Sequence, residues 1–465
     1  MKTQLSISRR NAVSRLAGLA LGTAAMAAAS PILGFDFSGV SIPDDLRVET
    51  DVEIEGELRV GEDPTKPIRL PLEAKAKLAY FLRKLSPTSD AELGRSVREY
   101  ETAEASIKLR GKASESRLSE ERRVVLSRTT PSSWIVTSPL GPISREEMEL
   151  LQTGGNVEAI RGLLPDVKKG EKEAWNAPSE ALQRLLGLEE ITENTVKFHL
   201  ASDGTKGVLT ADGEGKIAAN TQGVKTTFEL KLKISLDAAT SSMRWFTAAL
   251  RETREIGNAQ PGCETVTKIK TVFRPATVPP TLSDEALESL SLDNNAAEQM
   301  LKISPTRSQY SVLADSRWYM VLDRPELTVL RMVDGNLILG QCNITILPAA
   351  RADKPVTADN FAAEVRRSLG QNFKEEVEND SFETSGGLNV IKVKALGSAN
   401  DLTIQWTYYH LTDAEGRRAS VAFTCNSEKI VQFAEADRNL IESFTFGDGT
   451  GGPSEALAPA SVLKR

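Results

Sequence analysis

Carboxylates, imidazoles, thiols and aromatic rings are the groups through which this chain could do chemistry. Its densest set is an acidic ladder, Glu49, Asp51, Glu53, Glu55 and Glu57, at every second position. Acids spaced this way on a strand lie about 6.6–6.8 Å apart along one face. Calcium gathers oxygens at about 2.3–2.6 Å, so the ladder closes on an ion only with ligands from a loop. The pattern reads either as a calcium or cationic-partner site with such help, or as a solvated face that discourages edge pairing.

Histidine is confined to His199 and His410. Phe198-His199-Leu200 places His199 on the polar side of an alternating run, while His410 shares strand parity with Trp406 and Tyr408. No H-E-x-x-H, C-x-x-C, G-x-S-x-G, P-loop or G-x-G-x-x-G spacing occurs. Zinc hydrolysis, a nucleophile elbow and dinucleotide or phosphate cradles therefore lack their motifs. No catalytic, cofactor-binding or metal-ligating residue is assigned, and no cofactor is expected. Trp318, Trp406, Tyr408 and Tyr409 are the candidates for a ligand groove, against the commoner role of aromatic rings in a core.

The cysteines are Cys263, Cys342 and Cys425. Cys342 shares parity with Ile338, Ile344 and Ile346, and Cys425 with Val421 and Phe423. Both point to the apolar face of a strand. Each packs there as a small hydrophobe, or the two meet in a disulfide if their strands are neighbours.

The elements that would carry these groups are mostly extended. Residues 46–60 alternate, with Leu46, Val48, Val52, Ile54, Leu58 and Val60 on one face. A second run follows over Ile68–Leu85, with further strands near 103–113, 121–128 and 133–138. Ser144 and Glu147 form a capping box for a helix. Asn156–Leu164 and Ser179–Leu186 read as short helices, the latter stopped by Gly187. Alternation returns from Val196 and is clearest over Phe228–Leu236, the mark of antiparallel sheet with one wet face. Asp203-Gly204 and Asp212-Gly213 read as turns.

Residues 45–274 thus form a β-rich unit with helical insertions. Pro275, Pro279 and Pro280 open a linker that runs to residue 309, with Ser283 capping a connector helix. Residues 310–446 form a second unit. It holds strands, an amphipathic helix over 359–373 with Phe361, Val365, Leu369 and Phe373 on one stripe, and a final helix over Phe433–Ser443. The tail, 447–465, is rich in Gly, Pro and Ala and is expected to be disordered.

The amino terminus reads as an address. Ser8-Arg9-Arg10 precedes a short Ala-, Leu- and Gly-rich run, the pattern of a twin-arginine signal peptide. Residues 1–29 form it, with Ala27 and Ala29 as the small residues before cleavage. The protein is therefore expected to be exported, periplasmic or extracellular. No later stretch is apolar enough to span a bilayer. Loss of Lys2, Arg9, Arg10 and Arg15 takes the formal charge from −7 to −11. That balance, with 5% aromatics, argues against nucleic acid as a partner.

Several stretches in the second unit carry a family likeness. They are Trp318-Tyr319, Leu337–Ile344, the Phe361–Phe373 stripe, Trp406-Thr407-Tyr408-Tyr409, and Leu440–Phe446 with its Ser443-Phe444-Thr445-Phe446 stop. These resemble the PsbP/DcrB-like α/β/α fold. Leu163-Leu164-Pro165 and Gly170–Trp175 resemble the first domain of large secreted bacterial proteins of unknown function. The resemblance implies an α+β chain: an N-terminal, mostly antiparallel β domain and a C-terminal α/β/α sandwich. It brings no active site. Together these readings favour an exported, non-catalytic envelope protein, a binding or accessory module for an envelope protein or small ligand. The alternatives are a carboxylate-dependent hydrolase and a carrier of an apolar ligand on a curved sheet.

Overall fold

The computed structural model describes residues 34–447 apart from 62–65, 90–91, 132, 172, 203–204, 206, 258–259, 291, 293–298, 306–308 and 350–355. The leader with Arg9, Arg10, Ala27 and Ala29, the Asp203-Gly204 turn and the tail beyond Gly447 lie outside the described residues.

Period-two alternation builds the larger sheet. The chain opens with β1 (Phe35–Asp36), β2 (Asp45–Val60), β3 (Ile68–Leu85), β4 (Gly94–Leu109), β5 (Lys112–Arg117), β6 (Val124–Thr129) and β7 (Trp134–Thr137). Helix α1 (Arg145–Gln152), a 3-10 helix (Val157–Leu163), β8 (Lys168–Lys169), β9 (Trp175–Asn176) and α2 (Ser179–Leu186) follow. Next come β10 (Glu190–Asn194), β11 (Lys197–Ser202), β12 (Val208–Thr221), β13 (Val224–Asp237), β14 (Ser242–Arg254) and β15 (Gly262–Pro275). Thirteen of these strands join in one sheet, in the order β7-β6-β4-β3-β2-β15-β14-β13-β12-β11-β9, with β5 beside β4 and β10 beside β12. The early strand β2 is held antiparallel between β3 and β15, in the interior of the sheet.

One face of this sheet is covered by the helices and by the segment from Phe35 to Ile42 that precedes β2. Val48 and Val52 of β2 and Ile234 of β13 share a core with Phe37, Leu151, Ile160, Leu163 and Leu182. Trp175 stacks on Phe198 at 5.7 Å and donates from Nε1 to the Leu163 carbonyl at 3.0 Å. Gly213 leaves room for that packing, since a Cβ there would lie 2.5 Å from the Phe198 ring. Burying each such large apolar side chain contributes about 1.5–3 kcal/mol. The α1 capping box forms between Ser144 and Glu147, and Gly187 ends α2 in the left-handed region.

The connector packs back onto the opposite face of the sheet. Leu282, in a short 3-10 helix, and Leu287, in α3 (Asp284–Glu288), bury against Val97 and Val124. Arg83 ties this strap down, donating to the Leu282 carbonyl at 2.6 Å and pairing with Asp284 at 2.7 Å.

A second sheet follows. Strands β16 (Leu301–Ile303) and β17 (Tyr310–Ala314) precede β18 (Trp318–Arg324), β19 (Leu327–Asp334) and β20 (Leu337–Leu347). After α4 (Ala358–Leu369) come β21 (Phe373–Glu383), β22 (Asn389–Ala399), β23 (Leu402–Thr412) and β24 (Arg418–Asn426), then α5 (Ile430–Phe433), α6 (Ala436–Glu442) and β25 (Thr445–Phe446). Seven strands order as β18-β19-β20-β24-β23-β22-β21, and β16, β17 and β25 form a small sheet of their own. Helix α4 stops short of the expected residue 373 because Gly370 turns the chain at φ +53°. Ala434, at φ +46°, divides the expected last helix into α5 and α6.

The α+β class expected from the sequence is corrected. Among the described residues the chain is mostly β, 57% strand against 17% helix, in large antiparallel sheets, and its C-terminal unit is not an α/β/α sandwich. The one substantial helix there, α4, covers Val393, Ala395 and Trp406. The short α5 and α6 cover part of the other face, beside Phe423 and Val421. Helices this short patch a sheet and do not form layers.

Candidate functional site

The strongest candidate site lies on the face of the large sheet opposite the helices, beyond the connector strap. Odd-numbered side chains of β2 point there, because even-numbered ones are committed to the core. The antiparallel register aligns Lys270, Asp51, Lys77, Glu104 and Arg117 in one row across β15, β2, β3, β4 and β5. Lys268, Glu53, Lys75, Ser106 and Glu115 form the adjoining row. The rows flank a groove of about 640 Å³. It crosses five strands, about 19 Å at the usual interstrand spacing, with the rows about 6.7 Å apart.

The acidic ladder is therefore neither an edge guard nor an isolated cation site. Glu53 pairs with Lys75 at 3.5 Å, Glu57 with Arg69 at 2.5 Å and Glu49 with Arg274 at 2.8 Å. The hydrogen bond from Arg47, with Arg274 beside it, holds the Glu49 carboxyl below its ordinary range. Glu104 pairs with Arg117 at 3.4 Å. Among the described residues no group of three or more acids, histidines or cysteines is placed to hold a metal. Exposed pairs of this kind stabilise by about 0–1 kcal/mol each, so they pattern the surface more than they hold the fold.

The four aromatic candidates do not converge. Trp318 and Tyr409 are buried with Phe423 on the α6 side of the second sheet. Trp406 and Tyr408 lie on the α4 side. Neighbouring residues on a strand point to opposite faces, so the sheet itself separates the proposed groove into two cores. The disulfide is also corrected. Strands β20 and β24 are neighbours, but Cys425 sits opposite Gly340 and Cys342 opposite Phe423. The two thiols are a diagonal pair, about 7–8 Å apart at Cα and beyond a disulfide's reach. All three cysteines are free and buried. Burial pushes the Cys263 and Cys425 thiols up to about 11.

Three buried polar groups make contacts that the sequence did not reveal. Arg98 of β4, 1% exposed, pairs with Glu158 at 3.3 Å and donates to Ser127 at 3.1 Å. Its guanidinium lies 5.1 Å from the Tyr80 ring centroid. Tyr409 meets Asp437 in the second core. His410 is buried 5.6 Å from the Phe361 ring, and burial with nearby Arg418 lowers its pKa to about 4. His199, by contrast, lies exposed opposite Asp212. A polar residue in an alternating run reads as solvent-facing, and only an insertion packing over it reverses that.

These features define a mostly antiparallel β protein of two large sheets with an ionic groove on the larger one. No protein-family model matches the chain, and no curated protein matches it. Among solved structures, one of lipovitellin concerned with lipid–protein interactions aligns over 57% of this chain and 29% of its own, at 8% identity and a TM-score of 0.31. The chain thus spans less than a third of that protein. A porin of Rh. blastica aligns over 82% of this chain and 98% of its own, at 7% identity and a TM-score of 0.10. The outer-membrane protein OmpT of Vibrio cholerae aligns over 83% and 99%, at 7% and 0.10. Among the described residues no helix is long and apolar enough to cross a membrane.

Proposed function

We propose that this is an exported, non-catalytic envelope protein, periplasmic or extracellular, that works as a binding or accessory module. The observation that carries the reading is the groove. Asp51 and Glu104 stand two strands apart with Lys77 between them in register, an arrangement suited to ionic docking. A carboxylate-dependent hydrolase would instead want two acids facing one bond at about 5–10 Å with no cation between them. A carrier of an apolar ligand would want room on the helix-covered face, where Phe37, Ile160, Leu163 and Leu182 are all at 0% exposure. The Arg9-Arg10 leader supports export.

Native mass spectrometry of the mature protein from its host's envelope tests the reading. A bound mass that is lost on denaturation, and lost when the groove's charges are reversed, is the expected result. A bare chain that turns over a glycoside or ester panel, with the activity abolished by Asp51→Asn, would overturn it.

A further inference from the structure

Helix α4 is fastened to the second sheet mainly by apolar contact. It lays Phe361, Ala362, Val365 and Leu369 on β22 and β23. Among the described residues its polar ties to the sheet run through Arg366, which pairs with Glu376 of β21 at 3.5 Å and lies 5.3 Å from the Phe373 ring centroid. The Arg366 side chain is 61% exposed, and an ion pair that open to water holds little. Gly370, at φ +53°, turns the chain out of the helix before β21 begins. Strand β23, in contrast, is paired with β22 on one side and β24 on the other over its whole length. Under stress the helix can lift, and the strand beneath it cannot.

His410 of β23 lies under this cover. It is 5% exposed, its ring is 5.6 Å from that of Phe361, and its Nε2 is buried with no hydrogen-bond partner. Its surroundings suit a neutral imidazole. From α4 it meets Phe361, from β22 Ile391 in register, and from β24 Ser420 in register with Arg418 two residues away. The charged side chains of α4, Asp359, Glu364, Arg366 and Arg367, are exposed, and Glu383 of β21 is exposed opposite Asn389, two strands off. An imidazolium here would be desolvated, beside a like charge and without an acceptor.

We infer that α4 is an acid-released cover: a proton on His410 favours a state in which the helix has lifted from the sheet and uncovered Trp406 and Tyr408. The inference goes beyond the binding-module reading and stands without it. Lifting returns the imidazole to water, where it titrates near 6.5. Under the helix, burial and then Arg418 lower its pKa to about 4. The lifted state therefore binds the proton at a pH where the covered state does not. Its population rises as the pH falls through this window, by up to about 300-fold. The face it uncovers is apolar, with Val393 and Ala395 beside the two aromatic rings.

Hydrogen exchange of the full mature chain, read by mass spectrometry at pH 7 and 4.5 and divided by the exchange rate of unprotected peptide at each pH, tests this. Amides of α4 are expected to exchange ahead of those in β23 and β24 at both pH values. Between pH 7 and 4.5 they should lose at least about tenfold in protection. In His410→Gln the protection of α4 should no longer depend on pH, and in Glu376→Gln the dependence should remain. Histidine-selective NMR needs no substitution, because the chain holds two imidazoles, His199 and His410. The His410 imidazole should gain its proton over the range in which α4 loses protection. The inference is overturned if α4 exchanges in step with β23 and β24, if its protection does not fall in acid, or if the fall persists in His410→Gln. Abolition of the fall in Glu376→Gln, or protonation of His410 beneath a still protected α4, overturns it as well.

Discussion

The Tyr409 hydroxyl donates a 2.9 Å hydrogen bond to Asp437 Oδ2 inside the core between the second sheet and α6. Burial and the neighbouring carboxylate push the phenol pKa far above its ordinary value. The same carboxylate accepts the Arg438 backbone N–H at 2.9 Å through its other oxygen. The contact fastens a short helix to a strand by a charge-assisted bond that the helix's few apolar residues supplement.

Tyr409→Phe should therefore destabilise the protein by about 1.5–3 kcal/mol, the range for a buried hydrogen bond to a charged acceptor. Urea unfolding checks this. A shift in midpoint with an unchanged m-value is expected, and a variant as stable as the parent would refute the role given to the bond.

The Arg98–Glu158 pair should behave as a buried ion pair. Glu158→Ala strands the guanidinium, which is 1% exposed, and should cost about 3–5 kcal/mol. Replacing both partners with Arg98→Met and Glu158→Leu should cost clearly less than the sum of the single changes. A double-mutant cycle by thermal unfolding reads the difference.

His410 should make stability fall with acid. Its pKa is lowered from 6.5 to about 4, first by burial and then by Arg418. The unfolded chain therefore binds a proton at a pH where the folded chain does not. The contribution is complete above about pH 6.5, drains away as the pH falls, and levels off below about 4, for a total on the order of 3 kcal/mol. Denaturation midpoints between pH 7.5 and 4 should flatten over this window in His410→Gln.

Arg145 of α1 should couple the two units. Its guanidinium lies 3.8 Å from the Tyr319 ring centroid and donates to the carbonyls of Ser316 and Trp318, the latter at 3.0 Å. Removing a partly desolvated cation–π contact and its hydrogen bonds should cost about 1–3 kcal/mol of interface energy. In calorimetry the Arg145→Ala variant should broaden or split the melting transition, whereas Arg145→Lys should restore it only in part.

Much of the local structure was legible in the sequence because short-range chemistry sets it. The Ser144–Glu147 box, the Gly187 stop and the alternation of β2 and β13 each follow from neighbouring residues alone. The same alternation told which side chains of β2 share a face. It could not tell what that face meets. Pairing with β15 brings Lys268 and Lys270, more than 200 positions away, against Glu53 and Asp51. That turns an acidic ladder into one column of a mixed ionic groove. Likewise, the parity of Cys342 and Cys425 was readable but their two-residue stagger was not, since register depends on bulges and turns elsewhere in the sheet. The sequence alone determined composition, the leader pattern, the caps at Ser144 and Gly187 and the faces of β2 and β13; the Asp212-Gly213 pair it marks as a turn lies inside β12, where Gly213 makes room for Phe198. Tertiary structure alone decided strand order, the packing of Trp318 with Tyr409 and the burial of Arg98 against Glu158. Those depend on which distant segment is laid over a face, and no local periodicity encodes that choice.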